Sequence, residues 1–105
     1  MGSLTVDCIR EQKSINFVLS GRIDASNAYS FSDAITSALV DGHEEAIVFD
    51  CGGLEYISSM GLRALLSLRK KKRNVAFRLM NVSHSVMSIL ELTGFTQIFD
   101  VTGGN

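Results

Sequence analysis

The chain has 105 residues, 46% of them hydrophobic and 20% charged, with a formal net charge of −1. A globular composition at this length can bury a core without disulfides or metals, so a single domain spanning 1–105 is expected. The near-neutral charge argues against a general nucleic-acid binder, and no apolar run approaches the ~18 residues of a membrane-spanning helix.

The opening MGSLTVD lacks the basic-then-apolar pattern of a signal peptide. Val6 stands where a myristoylation pattern needs Ser or Thr. Leu4, Val6 and Cys8 alternate with polar neighbours, as do Ile15, Phe17 and Leu19, giving two strands joined by a short polar turn and paired antiparallel. Both cysteines, Cys8 and Cys51, lie in strand-like runs and read as buried free thiols, which suits a reducing cytoplasm. GRIDAS, residues 21–26, reads as a turn. From Asn27 the period becomes helical, through Ala28, Phe31, Ile35, Ala38 and Leu39, with Gly42 placed to end that helix.

The run AIVFDC, residues 46–51, suits a central strand covered on both faces. Gly52 and Gly53 read as the end of that strand, at positive φ, with Leu54 to Ile57 as loop. A second helix is predicted from Ser59 through Leu62, Leu65, Leu66 and Leu68 to the basic run Arg69–Arg73. A fourth strand follows at Val75, Phe77 and Leu79. A third helix is capped by Ser83 or Ser85 and stopped by Gly94, and a last strand takes Ile98, Phe99 and Val101. The order β-β-α-β-α-β-α-β predicts an α/β domain: one mixed sheet of about five strands with the helices mainly on one face.

The segment YISSMGLRAL raises the functional question, because Ser58 and Ser59 stand together at a helix start. Serine is a favoured N-cap, but one hydroxyl suffices for capping. A first-turn hydroxyl lies beside free backbone N–H groups and the positive end of the helix dipole, where a phosphate is accommodated. Such a phosphate adds about −1.5 to −2 charges to the surface. A nucleophilic serine would need a base. The elbow G-x-S-x-G fails at Ile57, and the two histidines, His43 and His84, are distant in sequence. No enzyme is expected. Gly52-Gly53 matches no phosphate-binding fingerprint, and no Cys/His spacing marks a metal site, so neither cofactor nor metal is expected. Arg69–Arg73 reads as a solvated helix end favouring the dipole. Asp24 is either a turn-forming carboxylate or part of a recognition surface. Met60 is either an adaptable partner contact or a gap-filler.

GRIDASNA, IVFDCGGLEYISSMGLRALL and NVSHSVMSILELTGFTQIFDV resemble successive blocks of the STAS domain, and among its members the bacterial anti-sigma-factor antagonists. The resemblance implies partner switching. An unphosphorylated antagonist binds an anti-sigma factor that is also a serine kinase, and this frees a sigma factor. The kinase phosphorylates one serine at the start of the central helix and so weakens the complex; a serine phosphatase reverses this. The family pattern Asp-Ser-Ser/Thr-Gly-Leu falls on Ser58, Ser59, Met60, Gly61 and Leu62, so the resemblance makes Ser59 the phosphoacceptor, with Ser58 the second choice. Asp24 matches the family's G-x-x-D turn and Asp50 its central-strand acid. Asp24, Ser58, Ser59, Met60, Gly61 and Leu62 form the implied partner-binding set. Ser58 departs from the family's Asp, and Met60 from its Ser or Thr. The expected protein is a cytoplasmic monomer without membrane or nucleic-acid contacts. The rival expectation is a STAS interaction module of a transport or other regulatory assembly, with no serine switch.

Overall fold

The structure is a computed structural model and describes residues 3–39 and 42–104. Met1 and Gly2, on which the acylation pattern turns, lie outside the described residues. Alternating sequence produces the first two strands, β1 (Leu4–Arg10) and β2 (Ser14–Ile23), which pair antiparallel with Val6 opposite Leu19 and Cys8 opposite Phe17. The chain then alternates helix and strand: α1 (Ala28–Ala38), β3 (Ala46–Ile57), α2 (Ser59–Lys71), β4 (Ala76–Val82), α3 (His84–Leu92), a 3-10 turn (Phe95–Gln97) and β5 (Asp100–Gly103).

Strands lie in sequence order, β1-β2-β3-β4-β5, with β2 to β5 all parallel. Crossovers of one hand that always step in the same direction leave every helix on the same side of a sheet. Phe31 and Ile35 of α1, Leu62, Leu65 and Leu68 of α2, and Val86 and Leu90 of α3 accordingly share one core with Phe17, Phe49 and Leu79 of the sheet. All six phenylalanines belong to one chain of ring contacts, from Phe17 and Phe31 on Phe49, through Phe77, to Phe99 and Phe95. Among the described residues, no helix is long and apolar enough to cross a membrane.

The fold class is the one expected, but several local readings change. β3 is central yet covered on one face only: Ile47, Phe49 and Cys51 are buried, while Ala46, Val48 and Asp50 are half-buried on the side without helices. An apolar run therefore reported the centre of the sheet, not a second covering layer. β3 also continues through Gly52 and Gly53 to Ile57, so Leu54–Ile57 is strand and not loop. Neither glycine has positive φ. Gly53 is needed for space instead, since a Cβ there would lie 3.0 Å from the Leu19 carbonyl oxygen of the neighbouring strand. β2 likewise runs through Gly21 to Ile23, which shortens the expected turn to the residues after it. Gly21 does have positive φ, 107°, and a Cβ would collide with the Ser3 carbonyl at 2.0 Å.

α1 closes at Ala38, with the Leu39 N–H turned to the Thr36 carbonyl, before Gly42 is reached. Ile98 and Phe99 precede β5, because the chain first makes the 3-10 turn that Gly94, at φ 79°, permits. Cys51 is buried, and burial, with Asp50 beside it, pushes its thiol up to about 12. Cys8 is exposed, contrary to expectation, because the edge strand β1 extends beyond the cover of α1.

Candidate functional site

The register of β2 and β3 ends at the pair Ile23 and Ile57. The two chains leave the sheet there side by side, and the Ser58 N–H donates to the Ile23 carbonyl at 2.8 Å. This bond ties the loop before α2 to the loop carrying Asp24. Both loops emerge at the carboxyl end of parallel strands, where α/β folds present their polar groups.

Ser58 and Ser59 occupy different environments. Ser58 has extended backbone, φ −86° and ψ 172°, and its hydroxyl accepts from the Gly61 N–H at 3.3 Å. It is the N-cap of α2 and is half-buried. Ser59 is the first helical residue and is exposed, with no acidic side chain in the same turn. Met60 beside it is 45% exposed, large for a sulfur side chain with a core so close.

Gly61 and Leu62 face inward beneath the serines. A Cβ on Gly61 would stand 2.7 Å from Ile23 Cγ2 and 2.8 Å from Ile57 Cγ1. Only a glycine lets the first turn of α2 settle against the strand ends. Leu62 is 6% exposed and joins the core. Of the six residues in the expected partner-binding set, the structure therefore presents Ser59 and Met60 at the surface, and sets Ser58, Gly61 and Leu62 to hold the helix start in place.

Asp24 is held by its own loop. Its carboxylate accepts from the Ser26 hydroxyl at 2.6 Å and the Ser26 N–H at 3.0 Å. The Ser26 hydroxyl, followed by backbone N–H groups and Arg22, lowers its pKa against a smaller desolvation effect. Asn27 completes the turn: its side-chain oxygen accepts from the Asp24 N–H at 2.9 Å and its amide donates to the Arg22 carbonyl at 2.9 Å. The turn-forming role of Asp24 is thus seen directly, and the loop is ordered beside Ser58.

Two surface residues escaped the sequence reading. Tyr29 of α1 is 85% exposed, and together with Met60, Arg63 and Ala64 of α2 it lines an open groove of about 190 Å³ between the two helices. Arg63 falls four residues after Ser59, a spacing that was visible in the sequence. Tyr29 falls on the face of α1 that reads as solvent-facing, so only the packing of α1 on α2 brings it near. The basic run at the other end of α2 is partly engaged in structure: Arg69 donates to the Arg73 carbonyl at 3.4 Å, and Lys72 to the Leu39 carbonyl at 3.5 Å. His84 is the first residue of α3 and His43 precedes β3, and among the described residues neither hydrogen-bonds to Ser59.

The chain matches the STAS domain model over residues 9–103. It belongs to the STAS domain family. It is 38% identical over 85 residues to the candidate anti-sigma factor antagonist BtrV of Bordetella bronchiseptica, covering 79% of this chain and 72% of that protein. Its fold matches an anti-sigma factor antagonist from Mycobacterium paratuberculosis with a TM-score of 0.85 at 24% identity, over 94% of this chain and 85% of that one. It also matches the anti-sigma factor antagonist SpoIIAA. The unphosphorylated form gives a TM-score of 0.76 at 18% identity, over 95% and 88% of the two chains. The phosphorylated form from Bacillus gives 0.69 at 15%, over 95% and 91%. The sequence relative BtrV is thus a candidate anti-sigma factor antagonist, and the anti-sigma factor antagonists of known structure share the mixed sheet and helix arrangement of this STAS domain.

Proposed function

We propose that this STAS domain is itself an anti-sigma factor antagonist that works by partner switching through Ser59. Its unphosphorylated form binds an anti-sigma factor with serine kinase activity and so releases a sigma factor in the cytoplasm. The observation that carries the reading is the division of labour at the start of α2: Ser58 caps the helix, and Ser59 is exposed, its hydroxyl without a hydrogen bond among the described residues. A hydroxyl on the first turn of a 13-residue helix is held in a defined direction, which in-line attack on a γ-phosphate requires. The kinase supplies Mg²⁺ and the base. The Ser59 oxygen bonds to the γ-phosphorus of ATP, its proton passes to the kinase base, and ADP departs.

The added charge, about −2, falls beside Met60 and the α1–α2 groove. It disrupts an interface there without removing any contact that holds the fold, which is what a reversible switch needs. A serine phosphatase hydrolyses the phosphate and restores the binding form. The kinship with BtrV and the SpoIIAA fold, solved in unphosphorylated and phosphorylated forms, supports the same reading.

The first experiment is phosphopeptide mapping of the protein recovered from its own cells with its associated proteins. The expected result is phosphate on Ser59 and a co-purifying ATPase with serine kinase activity. Ser59→Ala is expected to lose the label while still binding that kinase. Labelling of Ser59→Ala at the wild-type level would move the acceptor to Ser58 or elsewhere.

A further inference from the structure

The pair Ser59 and Arg63 has the spacing of direct neighbours on a helix surface, where side chains four apart lie about 5–6 Å from each other at Cβ. Both are exposed. Arg63 makes no hydrogen bond or ion pair among the described residues, whereas the comparable surface cations Lys13 and Arg78 are paired with Glu45 and Asp100. The first turn of α2 holds no carboxylate that could occupy its guanidinium. Arg63 is also the one charged residue among those lining the α1–α2 groove, so its direction decides the charge of that surface.

We infer that Arg63 is the intramolecular partner of a phosphate on Ser59, and that phosphorylation draws its guanidinium along the helix away from the groove. The inference rests on the partner-switching reading for its biological use. An arginine fork matches two phosphate oxygens at once, so it suits this task better than a point charge. The modification then changes the groove twice: it adds negative charge at the rim and withdraws the positive charge from its wall. The other charged groups nearby do not duplicate Arg63. Asp24, in the adjoining loop, is bonded to Ser26. Arg22 is stacked over the Tyr56 ring at 4.6 Å. α1 contributes no charged residue to the groove lining.

The test needs no kinase. Phosphoserine is encoded genetically at position 59 of the full chain, and the second ionisation of the phosphate is followed by ³¹P NMR in wild type, Arg63→Gln and Arg63→Lys. Pairing stabilises the dianion, so the midpoint in wild type is expected to lie lower than in Arg63→Gln by about 0.3 pH. The difference should shrink at high salt, and Arg63→Lys should keep part of it. Equal midpoints in wild type and Arg63→Gln overturn the inference. Arg63→Ala, with the best helix former in place, repeats the comparison if the glutamine variant folds poorly. Without phosphate, Arg63→Gln is expected to melt with wild type, because the guanidinium has no partner to lose. Phosphopeptide mapping that finds no phosphate on Ser59 in cells defeats the switching reading alone; the pairing is decided by the titration of the encoded phosphoprotein.

Discussion

α2 and α3 begin almost alike, and the comparison shows what a cap does and does not supply. Each follows a parallel strand, and each is capped by a serine in extended backbone, Ser58 at φ −86° and Ser83 at φ −67°. Each cap hydroxyl accepts from the N–H three residues on, at 3.3 Å in both. They differ in what surrounds the cap. The third helical residue of α2 is Gly61, wedged against Ile23 and Ile57, whereas α3 has the buried Val86 there. The first helical residue is Ser59 in one and His84 in the other. α3 has a second serine too, but the Ser85 hydroxyl lies 3.4 Å from the capping Ser83 hydroxyl. Of the two helices, α2 combines a neighbouring ordered loop tied on by Ser58 with a first-turn hydroxyl and an arginine one turn later that are both unpaired among the described residues. A helix start becomes a candidate switch through these additions, while the cap itself is common to both.

Substitution can break this contrast, and the largest effect is expected at Gly61. Gly61→Val forces methyl groups into Ile23 and Ile57 and should cost about 3 kcal/mol of stability, read as a lower urea midpoint. Stability equal to wild type would mean that the strand ends can yield and that the tight approach is not needed. The two caps should then behave alike: Ser58→Ala and Ser83→Ala each lose about 1 kcal/mol in urea melts. A much larger loss for Ser58→Ala would show that its role exceeds capping.

Ser59→Asp should leave the melting temperature nearly unchanged, because a carboxylate at a helix start is favourable by about 0.3–1 kcal/mol, yet it should weaken binding of the partner. A large loss of stability with partner binding intact would turn the contrast around and make Ser59 structural.

The smallest effect concerns Asp24. Its folded pKa is lowered, chiefly by the Ser26 hydroxyl, so its contribution is present above the ordinary carboxylate value and fades as pH falls through the lowered one. Ser26→Ala should raise the Asp24 midpoint, followed by carboxyl ¹³C NMR. An unchanged midpoint would mean that the backbone N–H groups alone hold the carboxylate.

Much of the fold was legible in particular residues. Alternation at Ile15, Phe17 and Leu19 and the helical spacing of Phe31 and Ile35 declared their elements, since period two and period 3.6 are properties of the backbone. The YISSMGLRAL segment was legible as a helix start with one serine more than a cap requires. The rest was hidden for physical reasons. The run at residues 46–51 reads the same for a strand covered on one face or two, because a half-open central strand still loses water on its flanks. The exposure of Cys8 depends on how far α1 reaches over an edge strand. The strand character of Leu54–Ile57 comes from pairing with β2, since nothing local contradicts a loop after two glycines.

By itself the sequence determined the elements, their order, the family resemblance and the pair of hydroxyls, because each of these is written in local spacing and residue type. Tertiary structure alone decided which serine is the cap, why position 61 has room for no side chain, and that Tyr29 lines one groove with Met60 and Arg63. Those depend on where the ends of β2 and β3 lie relative to α1 and α2, and that distance exists only once the chain has folded.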